Sequence, residues 1–586
     1  MRKLTNRQIE YIDEHSPFED AASIARAIGV DKNIVEEHVH KTRQPKTSSA
    51  TGAGNFLSTM TSGWIYPLAL FSLALIIRIV YIYQLKNSYF FTPFKGGFDD
   101  YIFDSWAMEI LKGNWLGDSA IYIYRMPLYV YFLSLVYYLF GHSYLAVYIF
   151  QSIVGALTCV VVYRIGSIYF TPIAGLTGGL LTAFYGPFLY YTGMLVGETL
   201  GIFLTCLSFL FLLFFQKKSK YVNLFIAGIL MGLSMLARGN MLIVLPFVIF
   251  WLIVILRKEK IIKLVVSIVI TLIGVLIAIT PIIIRNYVIE KDVVPITALG
   301  GLNIYIGNAY GSDGKYHIVP KVGNSAETMV RDSIRVAEDA AGRKLKPSEV
   351  SNFWLRETMK SIKEHGVGYL LPLLFKKLVL FWNSYELPDI WDYYFIRNYI
   401  PVLNLPFINF SIISALASIG ICFSWPRRKD LSLLFTIVLG YMISLIAVFI
   451  ISRYRAQVVP FLSVPAGFAI ASLFNLKRIG FKRVVYGFAL GLFVFMFCNL
   501  PVDKVSFETS YNSLGVLMKR EGRFEDAIAL YNRAIEIAPA YPSPYYNLGI
   551  LYRDIDRRDE AASYFRKALE VSPDFYQAKE RLAELS

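Results

Sequence analysis

The sequence predicts an all-α membrane protein of about eleven crossing helices, with a small helical module at each end. Three observations predict it. The 586 residues are 55% hydrophobic and only 17% charged, a balance no single soluble domain of this length carries. Apolar runs of about 17 to 24 residues recur along the chain, each long enough to cross a ~30 Å hydrocarbon core at ~1.5 Å per residue. The last eighty or so residues repeat themselves at an offset of 34, which is the tetratricopeptide period.

Residues 1–40 read as a polar helix-turn-helix-like module on the cytosolic side. Ala21 to Val35 has the apolar spacing of two short helices around Gly29. A nucleic-acid reader needs an excess of phosphate-binding cations, yet charges nearly cancel here and Glu36 and Glu37 lie on the would-be recognition helix. A cytosolic cap or protein contact is therefore expected, and no nucleic-acid partner. Residues 41–63, rich in Ser, Thr and Gly, read as a flexible linker. No apolar run precedes residue 64, so the first span itself has to direct insertion.

Crossing helices are expected near 64–84, 143–163, 172–192, 197–215, 221–237, 239–256, 261–284, 405–424, 431–451, 456–474 and 484–500. An odd number puts the termini on opposite sides. The basic loops at 217–220, 257–260, 427–429 and 477–483 then share one face, which the positive-inside rule makes cytoplasmic. That pattern also explains the net charge of +15. The membrane domain is bounded at 64–503, with external loops at 85–142 and 285–404. Within them, Pro127–Phe140 and residues 368–384 read as amphipathic helices in the outer interface. The Gly and Asn spacing of 300–308 predicts tight turns. Cys159, Cys206, Cys422 and Cys498 all lie in apolar runs, with neither disulfide nor metal spacing. His142, His317 and His365 are scattered and read as structural.

Residues 504–586 carry the repeats on the extracytoplasmic side. Leu514 and Leu548, Gly515 and Gly549, Ala527 and Ala561, Tyr531 and Phe565, and Pro539 and Pro573 recur in register. Small residues at these places let two helices pack closely, and the Pro ends each pair. Asp574 to Leu585 reads as a capping helix. Recognition of a protein partner or acceptor is the expected role, with a stability cap as the alternative.

The chemistry lies on the outer face. Asp99, Asp100 and Asp104 follow the first span, and Glu198 opens the fourth on the same side. Charge beside a bilayer is costly and marks function, although an exposed acidic loop and a dipole-favoured helix N-terminus are the plainer readings. Arg125, Arg238, Arg453 and Arg455, the last two flanking Tyr454, stand on that side too, against the positive-inside trend. Group transfer from a phosphate-linked donor needs a carboxylate to take the acceptor's proton and cations to hold the departing phosphate. Arg suits phosphate because its planar fork binds two oxygens and stays charged. Glu386, in Trp382-Asn383-Ser384-Tyr385-Glu386, is a further candidate, facing the acceptor.

The stretches Asp99-Asp100-Tyr101-Ile102-Phe103-Asp104-Ser105-Trp106-Ala107, Lys112-Gly113-Asn114-Trp115 and Arg125-Met126-Pro127-Leu128-Tyr129 resemble the first external loop of GT-C membrane glycosyltransferases. The protein O-mannosyltransferase and aminoarabinose transferase group, glycosyltransferase family 39-like, is the nearest in pattern. Gly193 to Glu198 and Ser452 to Pro460 fit it as well, so the resemblance covers roughly residues 64–500. It implies that Asp99 is the catalytic base, that Asp100 stands where the family has Glu, and that Glu198 is the second external acidic position. Arg125, Arg453 and Arg455 match residues that hold a lipid-linked phosphate. Met126 and Ala456-Gln457 depart from the family pattern. The resemblance further implies an inverting displacement from a polyprenyl-phosphate sugar in the membrane onto a protein, lipid or glycan acceptor. Some such enzymes hold a divalent metal and others do not. Asp99 and Glu198 are the candidate ligands for magnesium or manganese. Asp100 and Asp104 are left open between binding metal, positioning substrate and capping a helix. The rival readings are an O-antigen ligase or polymerase-like enzyme, which places its decisive residues in a late external loop, and a transporter or scaffold presenting the repeats.

Overall fold

The computed structural model describes residues 4–585 apart from 6–7, 10, 13–19, 44–52, 94–97, 118–119, 317–318, 324, 389–390, 406 and 503–505. Gly97, His317 and most of the first half of the expected linker lie outside these residues. What is described is helical, and its only pairing of strand type is an isolated bridge between Tyr185 and Ile408.

Among the described residues, six helices are long and apolar enough to cross a membrane, and six shorter apolar ones of 10–17 residues accompany them. Each expected span overlaps one of these twelve helices, six of them a helix long enough to cross and five a shorter one, and the twelfth is Pro127–Phe140, read from the sequence as interfacial. Departures from the expected boundaries have local causes. The first helix runs Ala53–Lys86, starting inside the segment read as a linker. The expected span at 172–192 is broken into Pro172–Ala183 and Gly186–Thr192, because Pro187 has no N–H to continue the ladder. The Phe184 carbonyl left over accepts instead from the Ile408 N–H at 3.0 Å. The helix expected over 431–451 stops at Ile446. Residues 300–308 form a helix rather than turns. Its glycines serve close packing, Gly301 against the Ser351 backbone and Gly307 against that of Val448.

Lipid tails are as apolar as Leu, so helices in a bilayer pair through close packing rather than the hydrophobic effect. Gly420 illustrates this, lying directly against the Pro465 carbonyl where Phe410–Phe423 meets Val459–Ser472. Outside the apolar bundle, helix Asp99–Leu111 is fixed by Trp106, fully buried, stacked on Tyr122 at 4.4 Å and covered by Arg285 at 5.0 Å.

At one end of the chain, helices Ala21–Ile28 and Lys32–Arg43 join through Gly29, whose φ of 67° is easily adopted only by glycine. At the other end, two helix pairs span Glu508–Ile537 and Pro542–Val571, closed by Tyr576–Ala583. Gly515 packs on Tyr531 and Gly549 on Phe565, as the repeat requires. The repeats rest on the membrane domain: Phe507 and Tyr511 meet the buried Phe395, and Arg335 covers the Tyr576 ring at 5.5 Å.

Candidate active site

Five segments far apart in sequence bring two carboxylates and three guanidinium groups together. Asp99 and Glu198 each open a helix, Asp99–Leu111 and Glu198–Lys218, where the unpaired backbone N–H groups favour a negative charge. Arg125 stands just before Met126, the N-cap of helix Pro127–Phe140, Arg238 follows Tyr221–Ala237 in extended backbone, and Arg453 lies in the short turn Ser452–Arg455. Arg125 donates to Asp99 Oδ1 at 2.7 Å, and Arg453 to Asp99 Oδ2 at 3.0 Å. Arg453 Nε lies 3.1 Å from Glu198 Oε1, and Arg238 pairs with the same carboxylate. Arg453 thus bridges the two acids. Tyr454 completes the group, its ring under Arg238 at 4.9 Å and Arg453 at 5.5 Å.

Glu198 is fully buried, and a buried carboxylate persists only when paired. Asp99 keeps about 20% of its side chain exposed, so it is the acid within reach of a ligand. Burial works to raise the pKa of Asp99, but Arg125 and Arg453 outweigh it and hold the group below the ordinary carboxylate value. Three cations against two anions leave a local excess of one positive charge.

The remaining predicted residues fall elsewhere. Arg455 turns away from the network and forms a second buried pair with Glu386 at 2.7 Å, covering the Phe410 ring. The Tyr185 hydroxyl donates to the other Glu386 oxygen at 2.7 Å, so that carboxylate is occupied on both sides. Asp104 accepts from the hydroxyls of Tyr137 at 2.7 Å and Tyr144 at 3.0 Å, with His142 Nε2 at 2.8 Å. Asp100, 8% exposed, lines a narrow cleft with Tyr148, Tyr190 and Trp391. A smaller hollow reaches Glu386 and Arg453, and shares Tyr190, Met194 and Trp391 with the cleft as common walls.

Asp99 and Glu198, the residues that would hold a divalent cation, are both paired with arginine in this structure. The Arg453 guanidinium occupies the space between Asp99 and Glu198, and two further guanidinium groups neutralise the same acids. Among the described residues no group of three or more His, Cys, Asp and Glu stands together as a metal cluster.

Sequence reasoning missed Tyr137, His142 and Tyr144 around Asp104, and Tyr190 and Trp391 between the two hollows. Each is one aromatic among many in its stretch of the chain, where composition does not separate one ring from the next.

Residues 125–284 match the family described as dolichyl-phosphate-mannose-protein mannosyltransferase. Residues 515–556 and 542–575 match tetratricopeptide repeats. The first match takes in Arg125, Glu198 and Arg238, so the likeness to GT-C glycosyltransferases with C-terminal repeats holds in the membrane domain and in the tail. No curated protein matches the chain. Among solved structures, the archaeal oligosaccharyltransferase AglB from Archaeoglobus fulgidus, in complex with an inhibitory peptide and a dolichol-phosphate, is 13% identical with a TM-score of 0.42, over 78% of this chain and 59% of that one. The Archaeoglobus fulgidus oligosaccharyltransferase complex with Zn and sulfate is 14% identical at 0.43, over 78% and 57%. ArnT from Cupriavidus metallidurans, bound to undecaprenyl phosphate, is 14% identical at 0.43, over 88% and 76%. The chain spans under two thirds of the length of the archaeal structures.

Proposed function

We propose that this protein is a membrane glycosyltransferase that moves a sugar from a polyprenyl-phosphate-linked donor onto an acceptor hydroxyl on the outer face of the membrane. One observation carries the reading: the network in which Arg125, Arg238 and Arg453 converge on Asp99 and Glu198, with one positive charge in excess and Asp99 left partly exposed. The eleven-span topology, with the N-terminal module cytosolic and the repeats outside, belongs to the same reading.

Each residue then has a task. The donor phosphate draws on Arg125 and Arg453, whose forks bind two oxygens at once. As it does so, their hold on Asp99 loosens and Asp99 becomes a stronger base. The acceptor oxygen attacks the anomeric carbon as its proton passes to Asp99, the bond from that carbon to the phosphate oxygen breaks, and polyprenyl phosphate leaves with the electron pair, its charge met by the arginines. Attack opposite the leaving group inverts the anomeric centre. Glu198 touches no reacting atom and acts by holding Arg238 and Arg453 in place. Glu386 and Arg455 support the segment that carries Arg453 from the far side. A protein acceptor is favoured because repeats of protein-binding type stand beside the site.

The test is turnover by purified protein in detergent, with labelled polyprenyl-phosphate sugars, comparing wild type with Asp99→Asn. Loss of a positioned general base lowers the rate by about 10²–10⁴-fold. Undiminished transfer by the variant removes Asp99 from the mechanism, and a wild type that never consumes any donor removes the enzyme reading.

A further inference from the structure

Gln457 is 2% exposed, and among the described residues neither its Oε1 nor its Nε2 has a hydrogen-bond partner. A buried donor or acceptor left unpaired bears its full desolvation cost, so a native chain keeps one only where something else requires it. The same bundle satisfies such a group elsewhere. Gln151, equally buried, accepts from the Tyr129 hydroxyl at 2.7 Å and donates to the carbonyls of Thr192 and Met194 at 2.8 and 2.9 Å.

The idle amide lies against the arginine network. Gln457 stands four residues after Arg453, in a helical stretch that runs Ser452–Arg455 and continues as Ala456–Val458, so the two are one turn apart. Its Nε2 reaches helix Glu198–Lys218 at Gly201, where a Cβ would lie 3.3 Å from that nitrogen and 3.2 Å from Arg238 Cγ. Gly201 is three residues on from Glu198, its neighbour on the helix surface. Glu198, fully buried, is held by Arg238 and by Arg453, whose Nε is 3.1 Å away. An Arg453 that turns its fork to a phosphate gives up that contact and leaves a buried carboxylate short of one cation, a costly state. An amide answers both members of the remaining pair, because its NH₂ donates to a carboxylate and its carbonyl accepts from a guanidinium. A phosphate in direct contact would offer acceptors alone and leave Oε1 unpaired.

We propose that Gln457 is a positioning residue held in reserve, which takes Arg453's place at the Glu198–Arg238 pair when Arg453 engages a phosphate-bearing ligand. The reserve contact stands on the network alone, whereas the ligand rests on the glycosyltransferase reading. Ala456-Gln457 is also where the sequence departs from the family pattern, so the device belongs to this chain.

Two measurements on the full-length protein in detergent test this. Met matches Gln in volume without its polar atoms, so the first compares ligand-free melting temperatures of wild type, Gln457→Met, Arg453→Met and the double variant. Gln457→Met is expected to melt at or above wild type, since it removes an amide that has no partner to lose. In the Arg453→Met background the same change is expected to lower the melting temperature, because Glu198 has already taken up the amide. A fall in the wild-type background shows an amide already paired at rest and overturns the proposal. So does an equal effect in both backgrounds, since coupled residues are not additive.

The second measures binding of polyprenyl phosphate. Gln457→Met is expected to weaken it about tenfold, equivalent to about 1.4 kcal/mol, and the double variant to bind no worse than Arg453→Met. Unchanged binding in Gln457→Met overturns the link to the ligand, and additive losses show a direct contact and overturn the positioning role. The two measurements on Gln457→Met decide the matter even where Arg453→Met yields no folded protein. A wild type that shows the expected melting pattern yet binds no polyprenyl phosphate leaves the reserve contact standing and removes the functional reading.

Discussion

Arg453 is the keystone of the network, and replacing it with Gln gives a shift that can be sized in advance. Its guanidinium touches Asp99 at 3.0 Å and Glu198 at 3.1 Å. After the change, Arg125 still pairs with Asp99 and Arg238 with Glu198, so neither acid is stranded. One neighbouring Arg lowers a carboxyl pKa by about 1–3 units, which at ~1.36 kcal/mol per unit is about 1.4–4 kcal/mol. Losing one of two such partners raises Asp99 by an amount in that range. The assay is kcat/KM for donor consumption against pH, whose acid limb reports the free enzyme's base. In wild type the limb lies below the ordinary carboxylate value, because the folded pKa is depressed. In Arg453→Gln it moves up by about 1–3 pH units, and donor KM rises about tenfold or more with the loss of a charge-assisted hydrogen bond of ~1.5–3 kcal/mol. Arg453→Lys keeps the charge but not the fork that bridges two acids, and gives an intermediate limb. An acid limb at the same pH in all three proteins refutes the pairing of Asp99 with Arg453 as the control on its basicity.

Other outcomes follow from the surroundings of the site. Glu386→Gln takes the carboxylate from the buried Arg455 and leaves its charge to the carbonyls of Phe381, Asn383 and Tyr385, a loss of up to about 3–5 kcal/mol, so the melting temperature falls while kcat of the folded fraction changes little; a KM effect for acceptor without loss of stability contradicts this. Lys377 is fully buried, and its ammonium meets only oxygen acceptors, Asn308 Oδ1 at 2.8 Å and the carbonyls of Ile446 and Val448. Burial lowers its pKa to about 7 from 10.5, so between those values the unfolded chain binds a proton that the folded chain does not, and stability rises with pH across that window. Melting temperatures at pH 7 and 9.5 should therefore differ more in wild type than in Lys377→Met. Gly420→Val drives a side chain into the Pro465 carbonyl and separates two helices, which should lower the melting temperature by several degrees without moving the pH limb.

The apolar helices were legible because crossing lipid demands length and composition, and both are local properties. The carboxylates and arginines at helix ends were legible for the opposite reason, since charge there is costly. Their partition was less so. Arg453 and Arg455 stand two apart, and residues at that spacing face opposite sides of a helical turn, so one meets Asp99 and Glu198 while the other meets Glu386. Asp99 and Asp100, neighbours in sequence, are turned about 100° apart on their helix and part into an arginine pair and a cleft wall, whereas Asp104 shares a face with Asp100 and still ends in a tyrosine-histidine cage of its own. Helical geometry alone could have separated Arg453 from Arg455 and Asp99 from Asp100, but not Asp100 from Asp104, nor could it name their partners, which come from residues tens to hundreds of positions away. The break at Tyr185 was signalled by Pro187 inside an apolar run. The docking of the repeats on the membrane domain had no local signal, because Phe507 and Tyr511 are two aromatics among many.

The central claim divides labour between arginines that hold phosphate and Asp99 that takes a proton. It is tested most directly by the binding of polyprenyl phosphate to Asp99→Asn, measured in the same preparation as its turnover. Removing the carboxylate frees Arg125 and Arg453 for the ligand, so the account predicts binding as tight as wild type or tighter, with turnover down by about 10²-fold or more. Binding that weakens in step with turnover would mean that Asp99 only shapes the phosphate site, and would contradict its assignment as the base.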